Sequence, residues 1–495
     1  MRRLIELLSV VVFLSADCLP QQRHELTLDQ SIAMAVEKGF IASSVKARYL
    51  SALKNAESAQ RSLWTSMNLQ LNTPEFLESL TQQFNPITGL YEYYQLKSTS
   101  FQSLLSINQP IVYTGGTLRF SQSLFSRDQT SGISGSTRQW KDYLSNFYVE
   151  FQQPILTPNI HGINQTRNQI AIEQSGTDFL RDQLDLVYSV TESFYLMYQT
   201  SQRTIIVRTQ MEQNEESYTT AKRKYEAGLI PEVEVLQSDV DLSSSRNDLL
   251  NTERELARAK NAFRLLVGIP TADEVEAVGD IQYRPVIIDE NRAVESALAN
   301  RSEVLSAERQ VQLAEGNVGL ARSQNDFRLD LTARYGLSKN SEEFQNTFND
   351  FNRTRGALLS VSIPIFDWGS HSLSVEAAQV QQTNAVDAVA YTRQQVRQEI
   401  LDLVNRIRVA ESRIQVLEKA VEVAQKGYDI SLQRFGNGAI TRNDLALTQQ
   451  RLTTAKTNSL NALIDYKLGL ADLQRKTLYD FERQEPVRPV MVPEE

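Results

Sequence analysis

Ser217-Tyr218-Thr-Thr-Ala-Lys-Arg-Lys-Tyr225-Glu226-Ala227-Gly228-Leu229-Ile230 returns, 210 positions on (the distance from Tyr225 to Phe435), as Gly427-Tyr428-Asp-Ile-Ser-Leu-Gln-Arg-Phe435-Gly436-Asn437-Gly438-Ala439-Ile440. In each copy an aromatic residue is followed within three positions by a glycine, the sign of a helix that stops and turns. Downstream, Val235, Leu242, Leu249, Leu256 and Phe263 keep a seven-residue step. The second copy answers with Leu445, Leu452, Ser459, Tyr466 and Leu473, broken only at Ser459. Upstream of the second turn, no proline interrupts residues 369–435, and Val396, Ile400, Leu403, Ile407, Ala410 and Ile414 recur at steps of four and three. That is a coiled-coil seam, and at ~1.5 Å per residue it predicts a helix roughly 100 Å long.

The duplication extends beyond the turns. Pro154-Ile155 pairs with Pro364-Ile365 at the same spacing, whereas Ala35-Val36 pairs with Ala297-Leu298 at a spacing of 262. The two spacings differ by 52, so the first half carries that many extra residues, between about Thr73 and Asp142. The reading is therefore two structural repeats, 26–270 and 285–478, with helical hairpins over 162–268 and 369–476. In the second repeat, Asp289 to Ser323 reads as helix, and Leu329, Leu331, Ala333 and Tyr335 alternate as a strand over 327–338. A second strand over 357–366 closes at Pro364, which cannot donate to a ladder. Within the extra segment 73–142, Leu105 to Ile111 resembles a strand end, Thr114-Gly115-Gly116 a turn, and Leu118, Phe120 and Leu124 alternate. An added hairpin in or above a barrel, an external plug and a solvent-exposed loop all fit. The tail 482–495 reads as disordered.

Only 20 glycines and 13 prolines among 495 residues favour long uninterrupted elements, and a net charge of −9 speaks against nucleic acid as a partner. Arg2-Arg3, the apolar run Leu7 to Leu14 and Ser15-Ala16 have the layout of a signal peptide over 1–18, with cleavage near Ala16 or Cys18 or lipid attachment at Cys18. No later run of eighteen apolar residues supplies a transmembrane helix. His24, His161 and His371 lack metal-ligand spacing, and neither a phosphate loop nor a nucleophile elbow occurs. The expectation is a non-enzyme with no cofactor and no metal.

Two strands per repeat give four per chain, and more if the extra segment contributes; four are too few to close a barrel in lipid, where unpaired backbone cannot stay. Closure then needs several chains. The rival of another class is a periplasmic coiled-coil adaptor or structural rod, which leaves the recurring strand pairs without a role.

The pattern resembles the TolC outer-membrane efflux family over essentially the whole mature chain. The resemblance is carried by Leu26-Thr-Leu-Asp-Gln-Ser-Ile-Ala33, the two helix-turn segments, Leu265-Leu-Val-Gly268-Ile-Pro270 and Ile363-Pro-Ile-Phe-Asp-Trp-Gly369. It implies an α+β membrane protein. Long antiparallel coiled-coil hairpins would form an α-barrel in the periplasm, and a few strands per chain a twelve-stranded trimeric β-barrel in the outer membrane of a Gram-negative-type bacterium. The implied partners are two further copies in a homotrimer, outer-membrane lipid, a periplasmic adaptor (membrane fusion) protein and an inner-membrane transporter. The implied role is the exit duct of a tripartite efflux pump for small molecules, or of type I protein secretion. By the same resemblance Ala227, Gly228, Leu229, Asn437, Gly438 and Ala439 would contact the adaptor. Asp444 matches the first of two acids that narrow the family's periplasmic mouth, while Leu447 stands at the second; Glu234 and Gln237 are the first-repeat equivalents. A helix-start acid facing the helix dipole is the alternative reading of Asp444 and Glu234.

Overall fold

The computed structural model describes residues 23–487, apart from 86–87, 134–135, 280 and 325–326. The signal peptide, Cys18 and the end of the tail lie outside the described residues. In chain order the elements are β1 (Arg23–Leu26), α1 (Leu28–Lys38), α2 (Phe40–Arg61), β2 (Ser66–Asn85), β3 (Leu90–Ile111), β4 (Gly116–Ile133), β5 (Ser136–Ile155), α3 (Ile160–Glu226) and α4 (Glu232–Val267). They continue with β6 (Glu274–Ala277), α5 (Glu290–Asn300), α6 (Ser302–Ser323), β7 (Arg328–Ser341), β8 (Asn352–Ser362), α7 (Ser370–Gly436), α8 (Arg442–Thr477), β9 (Tyr479–Asp480) and β10 (Glu485–Pro486).

The repeat reappears in these bounds. Helices α3 and α7 are both 67 residues long and α4 and α8 both 36, and each start is displaced by 210 from its counterpart. Helices α1 and α5 have 11 residues each and α2 and α6 have 22, with starts displaced by 262. Strand β2 answers to β7 and β5 to β8, which leaves β3 and β4 as the surplus.

The chain divides into two compact units. Among the described residues, unit 1 comprises those of 23–46, 180–298 and 396–487. Its core is the heptad seam: Val396, Ile400, Leu403 and Ile407 on α7, with Leu445, Leu452, Tyr466 and Leu473 on α8, are all buried. The broken step, Ser459, is half-buried, so the seam tolerates one polar position. Tyr466 also donates its hydroxyl hydrogen to the Arg284 carbonyl (3.0 Å) and accepts from the Val286 amide (3.1 Å), satisfying the polar end of a buried ring. Strand β1 pairs in parallel with β6, which joins the start of the first repeat to the segment that leads into the second.

Unit 2 comprises residues 47–179 and 299–395 and is built on one antiparallel sheet in the order β2-β3-β4-β5-β7-β8. The four strands of the two repeats are joined by two more, because the extra segment forms β3 and β4 between β2 and β5, and the sheet has six. Of the readings open for that segment, the exposed loop and the plug are corrected. Its strands are paired on both sides along most of their length, and alternation at strand period is what a two-faced sheet requires. Three boundaries are corrected as well. Strand β8 begins at Asn352 and ends at Ser362, so Ile363 to Phe366 lie beyond the ladder. Asp289 to Ser323 is two helices, broken at Arg301. Glu485–Pro486, assigned to the tail, pair with Tyr479–Asp480.

The register sorts the sheet into two faces. One carries Met67, Leu69, Ile107, Phe120, Val149 and Leu331; the other carries Asn68, Ser106, Arg119, Glu150, Asp330 and Thr332, with Leu104 and Leu358 among its exceptions. An apolar face left open is what a lipid-facing sheet presents.

Candidate functional site

The candidate site is the tip of the two helical hairpins in unit 1. Helix α3 closes with a 6→1 hydrogen bond from the Leu229 amide to the Lys224 carbonyl (2.8 Å) and a 5→2 bond from Gly228 to Tyr225 (2.8 Å). Helix α7 closes the same way, Ala439 to Arg434 (2.8 Å) and Gly438 to Phe435 (3.0 Å). These are paired Schellman motifs, and both glycines take the left-handed conformation the motif demands, at φ 74° and 72°. That is the physical content of the duplicated turn sequence.

The return helices start differently. Helix α4 has Pro231 at its N-cap and no side-chain cap. Helix α8 has a full capping box: the Thr441 hydroxyl accepts from the Asp444 amide (3.2 Å), and Asp444 Oδ2 accepts from the Thr441 amide (3.1 Å) and hydroxyl (2.8 Å). Hydrogen bonds from the Thr441 hydroxyl and amide, with Arg434 nearby, hold the Asp444 carboxyl below the usual carboxylate range. Asp444 is thus an exposed acid already occupied with its own helix start. Glu234 lies in the first turn of α4, half-buried, with its carbonyl accepting from the Ser238 hydroxyl (2.8 Å).

Behind the tip, Tyr428, Phe435, Leu445 and Leu452 form a small core flanked by Ala424 and Ile440. Arg442 is buried beside it, with 2% of its side chain exposed. Its Nε donates to Ser238 Oγ (3.2 Å) and its Nη2 lies 3.0 Å from Asp241 Oδ2, so one guanidinium ties α8 to α4. Burial works against the Arg442 charge and Asp241 works for it. Lys224 Nζ donates to the Phe435 carbonyl (2.8 Å) and sits 4.5 Å from that residue's ring centre, joining the ends of α3 and α7. Gln449 on α8 donates to the Gln210 carbonyl of α3 (3.1 Å). The tip is a four-helix end pinned by a few buried polar contacts.

Large apolar side chains stand exposed among the charged residues of its outer surface. Leu229 is 73% exposed, and Val233, Leu236 and Leu447 are exposed too. The structure places Ala227, Gly228 and Leu229 in the α3–α4 turn and Asn437, Gly438 and Ala439 in the α7–α8 turn, each held by the Schellman bonds. Sequence reasoning missed Arg442, Lys224 and Asp241. The Thr441-x-x-Asp444 spacing did carry a capping signal, whereas nothing in a charged helix marks Arg442 as an arginine that is buried. Among the described residues no group of three or more His, Cys, Asp or Glu could hold a metal ion, and no helix is long and apolar enough to cross a membrane.

A family model described as "Outer membrane efflux protein" matches residues 117–269 and 293–476. Among curated relatives, the chain is similar to the "Probable outer membrane lipoprotein SilC" of Salmonella typhimurium, 26% identical over 41% of this chain and 43% of that one. It is also similar to the "Cation efflux system protein CusC" of Escherichia coli K12, 23% identical over 44% and 47%. The chain thus spans less than half the length of these curated relatives in alignment. Among solved structures, the Campylobacter jejuni CmeC outer membrane channel superposes with a TM-score of 0.68 at 13% identity, covering 93% of this chain and 86% of that one.

Proposed function

The chain belongs to the outer membrane efflux protein family, and from that premise we propose that three copies form an exit duct through the outer membrane. The carrying observation is the six-stranded sheet with one apolar face, one polar face and two open edges. In lipid such edges leave backbone groups unpaired, so the sheet requires neighbours of its own kind. The polar face then lines a water-filled lumen, and the apolar face meets outer-membrane lipid.

In this reading the hairpins extend into the periplasm and the exposed tip, with Leu229 foremost, receives a periplasmic adaptor bound to an inner-membrane transporter. Ala227, Gly228, Asn437, Gly438 and Ala439 flank that contact. Asp444, repeated three times around the axis, and its first-repeat counterpart Glu234 bring carboxylates to the mouth. Like charges on a small radius repel and favour cations over anions. The chain acts as a conduit and not as an enzyme. Relatives named for cation efflux favour small solutes over secreted proteins as cargo.

The test is native mass of the detergent-solubilised protein, followed by single-channel recording in a planar bilayer with and without divalent cations. A trimer with a cation-selective, divalent-sensitive current is expected. A water-soluble monomer that carries no current would sink the duct and leave a periplasmic coiled-coil protein.

A further inference from the structure

The edges of the sheet fit each other. Strand β2 leaves α2 at its start and β8 enters α7 at its end, so the two run antiparallel, and each uses only one of its two sides in this chain. Both are exposed along nearly their whole length, Met67, Leu69 and Leu71 on one and Leu359 and Val361 on the other.

The apolar band crosses the sheet obliquely. The row of direct partners through Leu359 of β8 passes Leu331 and Gln153, comes level with Gly116 one position before the β4–β5 ladder starts at Thr117, passes Ile111 and arrives level with Leu63, just before β2 begins. On β2 the apolar residues before the irregularity at Asn72–Glu75, Met67, Leu69 and Leu71, are centred on Leu69, six positions further along the chain than Leu63, and Phe76 and Leu80 continue the same face beyond it. The band therefore climbs by about one residue per strand across the five steps. With a rise of ~3.3 Å per residue and a strand spacing of ~4.8 Å, this corresponds to a tilt of ~40°, the tilt of strands in closed barrels. Strands β3 and β4 carry the band at the intermediate heights, with Leu105 and Ile107 on one and Leu118, Phe120 and Leu124 on the other. They are also fastened at the helix-proximal end, where Gln153 Nε2 donates to the Thr114 carbonyl (2.8 Å) in the β3–β4 turn. The surplus hairpin is therefore wall, at the same depth and with the same facing as the four strands around it.

We infer that β8 of one copy pairs with β2 of the next and that the shared barrel has eighteen strands, six from each of three chains, instead of the twelve that the family resemblance implies. This rests on the trimeric-duct reading. One further step of the same climb sets Leu359 level with the middle of the Leu69–Leu71 stretch, and a shared apolar face selects Leu69 or Leu71 as its direct partner. Strand β8 begins at Asn352, so its reach along β2 gives out near Glu78, while β2 runs on to Asn85. The approach to that limit carries the irregularity between Asn72 and Glu75, where the ladder to β3 slips by one residue and Pro74 cannot donate. Glu75 and Glu78 charge the strand where the neighbour ends, and Leu80 and Phe84 lie exposed beyond them.

The test is cysteine pairing in outer membranes, read on non-reducing gels, with native mass measured on the same variants without oxidation. Leu359→Cys is combined with Met67→Cys, Leu69→Cys or Leu71→Cys to cover the register, and separately with Phe120→Cys on β4. Covalent trimers with the β2 partners, strongest with Leu69→Cys or Leu71→Cys, and none with Phe120→Cys are the expected result. A native trimer that links only through Phe120→Cys would mean that β4 is the barrel edge and β2–β3 stand outside it, overturning eighteen strands while leaving the duct. A native trimer that links through none of the pairs overturns the β8–β2 seam in the same way. Absence of a trimer by native mass removes the duct reading itself, and this inference with it.

Discussion

The two helical hairpins share a length, a turn and a pair of left-handed glycines, yet they differ at almost every point where a side chain must do something. Helix α8 starts on a capping box and α4 on a bare proline. Helix α4 ends on Gly268 at φ 82°, while α8 ends on Leu478, its counterpart 210 positions on, at φ 56°. Arg442 and Asp241 bind α8 to α4, and at their equivalent places stand Glu232 and Arg451, the same charges exchanged and both exposed. Backbone geometry has been kept in both copies, and side-chain chemistry has been divided between them. A chain that surrounds an axis needs equivalent backbones to make a uniform wall. It has no such need for equivalent contacts, because in the proposed trimer the two hairpins of one chain would meet different neighbours.

The largest expected effect tests the helix ends. A Cβ on Gly268 would lie 2.5 Å from the Lys38 carbonyl oxygen, a backbone atom that cannot swing away, and φ is positive there as well. Gly268→Ala should cost about 3 kcal/mol, from strain and overpacking together, and lower the thermal midpoint of the solubilised protein by several degrees. Its counterpart already bears a leucine, so Leu478→Ala should cost far less. Equal losses at the two positions would show that the close approach of Lys38 is not what selects glycine.

Next comes the buried cation. Arg442→Ala removes two contacts to α4 and opens a void beside Tyr428 and Leu445; with Asp241 still half-exposed to water, a loss of about 2 kcal/mol follows. Arg442→Met, which refills the volume, should recover part of it. If Arg451→Ala is as costly as Arg442→Ala, the two charge pairs are equivalent in the assembled protein despite their different burial in one chain. The turns themselves are the matched case. Neither Gly228 nor Gly438 has an atom within 4 Å of a built Cβ, so valine at either should cost only the left-handed backbone, about 1–2 kcal/mol, and equally. Unequal losses in thermal midpoint would reveal a neighbour at one turn that a single chain lacks.

Much of this architecture could be read from the residues because it lives in periodicity. The spacing from Tyr225 to Phe435 locates both turns, and the steps from Leu445 to Leu473 locate a buried seam, since a heptad repeat is a direct record of which side of a helix faces a partner. The strands of the surplus segment were harder. Leu118, Phe120 and Leu124 alternate as those of β7 do, but alternation alone cannot say whether the facing partner is a strand or water. Arg442 was not legible at all. Its burial is decided by Ser238, 204 residues away, and by Asp241 close to it, and no local pattern carries that information.

Asp444 is where the two hairpins differ most quietly, and where sign decides between roles. As a capping residue it is stabilised in its charged form: Thr441 and the amide at the helix start hold its folded pKa below the ordinary aspartate value. A depressed carboxylate contributes stability that is complete above its unfolded pKa, about 3.9, and is lost as pH falls through the lower folded value. Thr441→Ala, at a cost of about 1 kcal/mol, should move that loss to higher pH, and Asp444→Asn should remove it. Three carboxylates crowded around a pore would do the reverse. Mutual repulsion raises a carboxyl pKa, so the trimer would become more resistant to heat as pH falls from about 5 to 4, and Asp444→Asn would abolish that gain. Thermal midpoints of wild type and Asp444→Asn followed from about pH 6 to 3 separate the two. An acid limb that falls only below about pH 4 leaves Asp444 as a cap, and one that rises first makes it part of the mouth.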